Sequence, residues 1–200
     1  MSNIAFMRLT RECREVISAK DKDNSGIAVE LIDEKLTKLR GTIRGPPDSP
    51  YEGGIFTLDI DIPSNYPFSP PKVKFATRIW HPNVSSQTGL ICLDILKDQW
   101  AASLTLRTVL LSVQSLLALP EPKDPQDAVV AKQKMNEPQM FEMTARFWTS
   151  QYAKGRRDKD DELVKKIQRL REMGVTEDQS ISTLSCCGWD LDRAIAYIFE

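Results

Sequence analysis

Only one histidine occurs in the 200 residues and no cysteine pair has C-x-x-C spacing, so a structural zinc site has almost no ligands to draw on. No metal and no cofactor is expected. A G-x-x-x-x-G-K-S/T loop is missing, as is any other phosphate cradle, so the chain should not bind ATP itself and activation must come from a partner. Charge of neither sign is in excess. With 27 Lys+Arg against 28 Asp+Glu, no global field favours nucleic acid or an anionic membrane, and charged docking surfaces must be local. Long apolar runs are also lacking. The richest, Val109 to Leu119, is broken by Ser112, Gln114 and Ser115 and reads as a core helix, while Arg8, Arg11, Glu12 and Arg14 interrupt the amino terminus where a secretory signal would be apolar. Neither secretion nor membrane insertion is expected. Of four cysteines, Cys186 and Cys187 are adjacent, a spacing that disulfide geometry disfavours, and a reduced compartment, the cytoplasm or the nucleus, fits such thiols.

Proline divides the chain. All twelve lie between Pro46 and Pro138, and the last sixty or so residues read as short amphipathic helices. The stretch Lys154-Gly155-Arg156-Arg157-Asp158-Lys159-Asp160-Asp161 is charged, holds a glycine and lacks core residues, as a linker should. Residues 1–153 are therefore expected to form the larger domain, 154–160 the linker and 161–200 a small three-helix domain.

Within the larger domain, Phe6, Leu9, Cys13, Val16 and Ile17 recur with helical spacing, which turns Arg8, Arg11 and Arg14 to the opposite side. Strand-like runs come next, at Ile27–Asp33, Leu39–Ile43, Ile55–Ile62 and Pro71–Ala76. Their connections are too short for parallel crossovers, so an antiparallel meander is expected. After Trp100, Leu106, Val109, Leu110, Val113, Leu116 and Leu117 make one apolar helix face, ended by Pro120. Leu111 lies with Thr108 and Ser115 on the polar side, either as an ordinary exposed leucine or as a docking contact. Two further helices are expected near 126–135 and 138–153. In the tail, helices near 161–173, 177–185 and 191–199 turn Leu163, Ile167, Leu170, Leu191, Ala194, Ile195 and Ile198 inward, and Gly174 stops the first. Met173, Val175 and Phe199 either complete that bundle's core or offer a partner surface.

Cys92 carries the chemistry. It sits in Ile91-Cys92-Leu93-Asp94, nine residues after Asn83 of His81-Pro82-Asn83, on an irregular stretch downstream of the run Tyr66 to Pro71. A thiol beside a side-chain amide suits acyl transfer through a thioester: the thiolate attacks a carbonyl carbon, and a fixed donor lowers the cost of the oxyanion. Asn83 can donate two hydrogen bonds, and losing such a donor slows transfer by on the order of 10². Its other reading is closure of the turn after Pro82. A cysteine hydrolase would need His81 as base, yet a histidine before a proline more often bonds neighbouring backbone. In a second step an amine must attack the thioester. Asp94 and Asp124 are the candidate rim acids for orienting it, although an anion alone would raise the pKa of an ammonium, so desolvation must lower it.

Together Tyr66-Pro67-Phe68-Ser69-Pro70-Pro71, His81-Pro82-Asn83, Cys92-Leu93-Asp94-Ile95-Leu96 and Trp100 resemble the ubiquitin-conjugating enzymes over roughly residues 3 to 152. The tail, with Met173-Gly174-Val175 and a final helix from Asp190, is similar to a ubiquitin-associated domain. The resemblance implies an α+β fold: an N-terminal helix, a four-stranded antiparallel sheet and C-terminal helices, followed by the small three-helix bundle. It also implies that Cys92 receives the ubiquitin carboxyl terminus from the activating enzyme and passes it to a lysine amine, building polyubiquitin chains for proteasomal degradation. Asn83 would serve the oxyanion and the active-site loop, Asp94 and Asp124 would gate and position the lysine, and His81 would be structural. Arg8 and Arg11 match positions that contact the activating enzyme; Phe68, with Ala102 and Ser103, matches the ligase-contacting loops. Leu111 and Ser115 match the face on which bound ubiquitin folds back. Met173, Gly174, Val175 and Phe199 match the tail's non-covalent ubiquitin surface, although Val175 stands where an aromatic is usual and Ala101-Ala102-Ser103 departs from the common Ser-Pro-Ala. A catalytically silent ubiquitin-binding adaptor remains the alternative; silent relatives usually lack the cysteine that this chain retains.

Overall fold

Strict alternation builds the sheet. The computed structural model describes residues 2–19, 24–155 and 160–199, and in it β1 (Ile27–Leu31), β2 (Lys38–Arg44), β3 (Ile55–Asp61) and β4 (Lys72–Phe75) pair antiparallel in chain order. Leu39, Gly41 and Ile43 of β2, Phe56, Leu58 and Ile60 of β3, and Val73 and Phe75 of β4 all point to the buried face, with Gly41 opposite Leu58 and Ile60 opposite Val73. Each such Leu, Ile or Phe contributes roughly 1.5–3 kcal/mol on burial. The helices α1 (Asn3–Ala19) and α2 (Leu106–Ala118) pack against each other and against β1 and β2. Glycine at 41 permits that approach, because a Cβ there would lie 2.8 Å from Leu110 Cδ2. Thr105 caps α2 by accepting the Thr108 N–H.

Between β4 and α2 the chain is irregular apart from one 3-10 turn, Asp94–Leu96, and α3 (Ala128–Asn136) and α4 (Pro138–Tyr152) come after α2. The tail forms α5 (Asp161–Glu172), α6 (Glu177–Cys186) and α7 (Leu191–Phe199). Gly174 takes φ +91° after α5, the left-handed step that ends a helix without a Cβ penalty, and Val175 N–H closes it on Leu170 O. Of the expected linker, residues 156–159 lie outside the described residues. No helix among the described residues is long and apolar enough to cross a membrane.

The tail bundle is docked on α4. Trp148 Nε1 donates to Ser185 Oγ at 2.8 Å and Trp189 Nε1 to Thr144 Oγ1 at 2.9 Å, all four residues being buried. Arg78 stacks 4.9 Å from the rings of both Trp148 and Tyr152 while pairing with Asp178 at 3.0 Å. Gln133 bridges the two parts, accepting from Trp80 Nε1 and donating to Ser185 O.

Three details differ from the sequence expectation. In α1 the buried side is Ala5, Leu9, Glu12, Cys13 and Val16, whereas Phe6 and Ile17 are exposed. Glu12 is buried because it gathers hydrogen bonds from three donors. Arg8 is consequently not turned away: its Nε pairs with Glu12 Oε1 at 2.7 Å and its Nη2 donates to Leu104 O. Leu111 is half-buried and packed against the core, not fully on the solvent side, and Leu116 is only partly buried.

Candidate active site

The site is assembled from two stretches with no regular structure, held by backbone bridges. Val84 pairs in isolated bridges with His81 and Ile91, and Cys92 N–H donates to Asn83 O at 2.8 Å, so the thiol segment is stitched to the His81-Pro82-Asn83 turn. Behind it, Phe75 N–H bonds Gly89 O and anchors the same stretch to β4. Cys92 emerges half-exposed. Its Sγ lies 3.6 Å from Asp124 Oδ2 and 3.5 Å from Lys97 Nζ.

Asn83 is buried and fully engaged. Its Nδ2 donates to Glu121 O at 2.8 Å and to Asp124 O at 2.9 Å, and its Oδ1 accepts from Glu121 N–H at 2.8 Å. In this conformation both amide hydrogens lie on loop carbonyls, which is the loop-supporting half of what the resemblance implies for Asn83. What Asn83 does here is brace the loop that carries Asp124. The brace is reinforced by Pro82 O, which accepts from the N–H groups of Gln126 and Asp127, and by Asp127, whose carboxylate caps α3 and accepts from Ser86 N–H and Oγ.

His81 offers no base. Its Nδ1 accepts the Asn83 N–H at 2.9 Å and its Nε2 lies 3.0 Å from Leu116 O, so the proton resides on Nε2. Complete burial disfavours the imidazolium and pushes the group down to about 3. Asp94 is exposed at the head of the 3-10 turn. Its carboxylate accepts from Ile95 N–H and its carbonyl from Lys97 and Gln99 N–H, so it shapes the turn just after the cysteine.

Three further cysteines are free thiols. Cys13 and Cys187 are buried, and burial raises both, Cys13 to about 11. Cys186 is exposed as a residue, yet desolvation of its sulfur pushes it up to about 11.

The remaining candidates fall on separate surfaces. Phe68 is 82% exposed, and Ala102 and Ser103 are exposed with it; Trp100 Nε1 donates to Pro67 O and ties the two loops together. Arg11 is exposed on α1, and Ser115 on α2. Met173, Gly174 and Phe199 are exposed on the tail bundle, with Val175 partly buried. Lys97 and Glu12 were not singled out from sequence. For Glu12 the signal was absent, since periodicity reads a charged residue as surface; for Lys97 it lay in the short spacing from Cys92 across a turn.

The family model for "Ubiquitin-conjugating enzyme" matches residues 8–149. The chain is 56% identical over 194 residues to the human "Ubiquitin-conjugating enzyme E2 K", covering 97% of this chain and 96% of that protein. It is 55% identical over 200 residues to "Ubiquitin-conjugating enzyme E2 21" of Caenorhabditis elegans, covering 100% of this chain and 94% of that protein. Among solved structures, a Toxoplasma gondii ubiquitin conjugating enzyme E2 domain superposes with a TM-score of 0.69 at 50% identity, covering 74% of this chain and 97% of that one.

Proposed function

The chain belongs to the ubiquitin-conjugating enzymes, and from that premise we propose that Cys92 is the sulfur on which the ubiquitin carboxyl terminus is carried. As a ubiquitin transferase it works with ubiquitin, an activating enzyme and ligases. The observation that supports Cys92 is its setting: a half-exposed thiol between the Asp124 carboxylate and the Lys97 ammonium, on a segment braced by Asn83. In charging, Sγ attacks the carbonyl carbon of an existing thioester, the old C–S bond breaks, and the exchange is nearly isoenergetic. In discharge, an amine lone pair attacks the same carbon and Sγ departs. Asp124, beside the sulfur, accepts a hydrogen bond from the incoming amine and orients it. Asp94 gates the approach from the exposed rim, and a desolvated setting keeps the amine neutral enough to attack.

The partner assignments belong to the same proposal. Arg11, with the part of Arg8 left open beside Glu12, meets the activating enzyme; Phe68, Ala102 and Ser103 meet a ligase; Leu111 and Ser115 face a folded-back ubiquitin. The tail acts as a ubiquitin-associated domain through Met173, Gly174, Val175 and Phe199, favouring polyubiquitin chains that mark proteins for the proteasome in the cytoplasm or nucleus. The test mixes the chain with activating enzyme, ATP and ubiquitin and runs a non-reducing gel. A reductant-sensitive adduct that vanishes in Cys92→Ala is expected; ubiquitin binding without an adduct, or an adduct that survives the substitution, overturns the reading.

A further inference from the structure

Negative charge must reside on Cys92 Sγ twice in each cycle. On charging, the thiol gives its proton to solvent and the sulfur lone pair makes the new C–S bond while the previous sulfur leaves. On discharge, an amine lone pair makes the C–N bond, the C–S bond breaks with its electron pair staying on Sγ, and the surplus amine proton goes to solvent. Of the two charged groups touching the sulfur, Asp124 opposes an anion there, whereas Lys97, at 3.5 Å, favours it. Asn83 cannot share the task while both its amide hydrogens are held by Glu121 O and Asp124 O.

Lys97 is aimed at the sulfur by the 3-10 turn. Its N–H and that of Gln99 both close on Asp94 O, which folds residue 97 back over residue 92. Resting on the reading of Cys92 as the ubiquitin-bearing sulfur, we propose that Lys97 is a further catalytic residue: its ammonium, at hydrogen-bond distance, stabilises the negative charge that develops on Sγ, as nucleophile when the acyl group arrives and as leaving group when the amine displaces it. Asp124 and Lys97 thereby divide the work, the acid addressing the amine and the cation addressing the sulfur.

The full chain serves for the test, with Lys97→Gln removing the charge and Lys97→Arg keeping it while deleting an amine that could itself be acylated. Two rates are read at pH 7.5. One is alkylation of Cys92 by iodoacetamide, tracked by peptide mass, which reports thiolate reactivity without ubiquitin. The other is single-turnover discharge of the purified ubiquitin adduct to free lysine. Lys97→Gln is expected to slow both by about tenfold, with discharge reduced in its rate at saturating lysine and not in the lysine concentration needed, and Lys97→Arg to stay within about threefold of the parent. Unchanged rates in Lys97→Gln overturn the proposal, as does a Lys97→Arg chain as slow as Lys97→Gln, which would assign the effect to the amine. Failure of the parent chain to form the adduct defeats the reading of Cys92 instead, while the alkylation arm still reports on Lys97.

Discussion

Asn83 joins two parts of the site by holding a loop about forty residues further along, with three hydrogen bonds that all vanish on truncation. Asn83→Ala removes the side-chain partner of the Glu121 and Asp124 carbonyls and of the Glu121 N–H, part-buried groups on exposed residues, each costing up to roughly 1–3 kcal/mol where water does not replace the lost bond. The expected net loss is about 2–4 kcal/mol in urea unfolding, accompanied by slower discharge, because Asp124 loses its fixed place. Asn83→Asp, which still accepts from Glu121 N–H but cannot donate, should fall between. An alanine variant as stable as the parent would return Asn83 to a purely chemical role. Cys92, Asn83, Asp94 and Asp124 could all be picked from the sequence because their residue types suit acyl transfer. That Asp124 comes to 3.6 Å from the sulfur could not, since the contact depends on a long loop whose closure only the tertiary fold supplies.

At the level of elements, α1 is fastened by a charged residue. Glu12 accepts from Arg8, from Tyr66 Oη at 2.7 Å and from Leu106 N–H at 3.0 Å, linking α1 to the Tyr66–Pro71 stretch and to the start of α2. Burial, and then Glu12 itself, pushes the Tyr66 phenol well up, so it stays protonated and donates. Removing one partner of a buried charged cluster costs about 3–5 kcal/mol. Glu12→Ala is therefore expected to lose stability on that scale in thermal melts. It should also speed amide exchange at Phe68 and Leu104, whose loops lean on the cluster; unchanged exchange there would show that the loops stand without it. The strands were legible to within a residue or two because alternation is a local signal that the sheet preserves. The buried side of α1 was only half legible, since hydrophobic periodicity favoured Phe6 and Ile17 and passed over an acid satisfied by distant donors.

Across the whole molecule, the docking of α5–α7 on α4 is the feature that sequence reading did not reach, because Thr144, Ser185 and Gln133 carry it and none stands out in a pattern. A chain cut to residues 1–153 would leave the Trp148 indole N–H without Ser185 and Arg78 without Asp178. Such a chain should still form the reductant-sensitive adduct, because the contacts around Cys92 come from residues 75–127. Its melting temperature should drop by several degrees, as a loss of about 1–2 kcal/mol does in a domain of this size. Calorimetry on both lengths checks this; equal melting temperatures would mean that the seam adds no stability. Trp80, Trp148 and Trp189 are all buried along this seam, whereas Trp100, the fourth tryptophan, sits beside Pro67. Ultraviolet fluorescence of the unlabelled chain is thus weighted toward one internal boundary: any ligand that pries the tail loose would announce itself as a red shift in emission, with no dye attached.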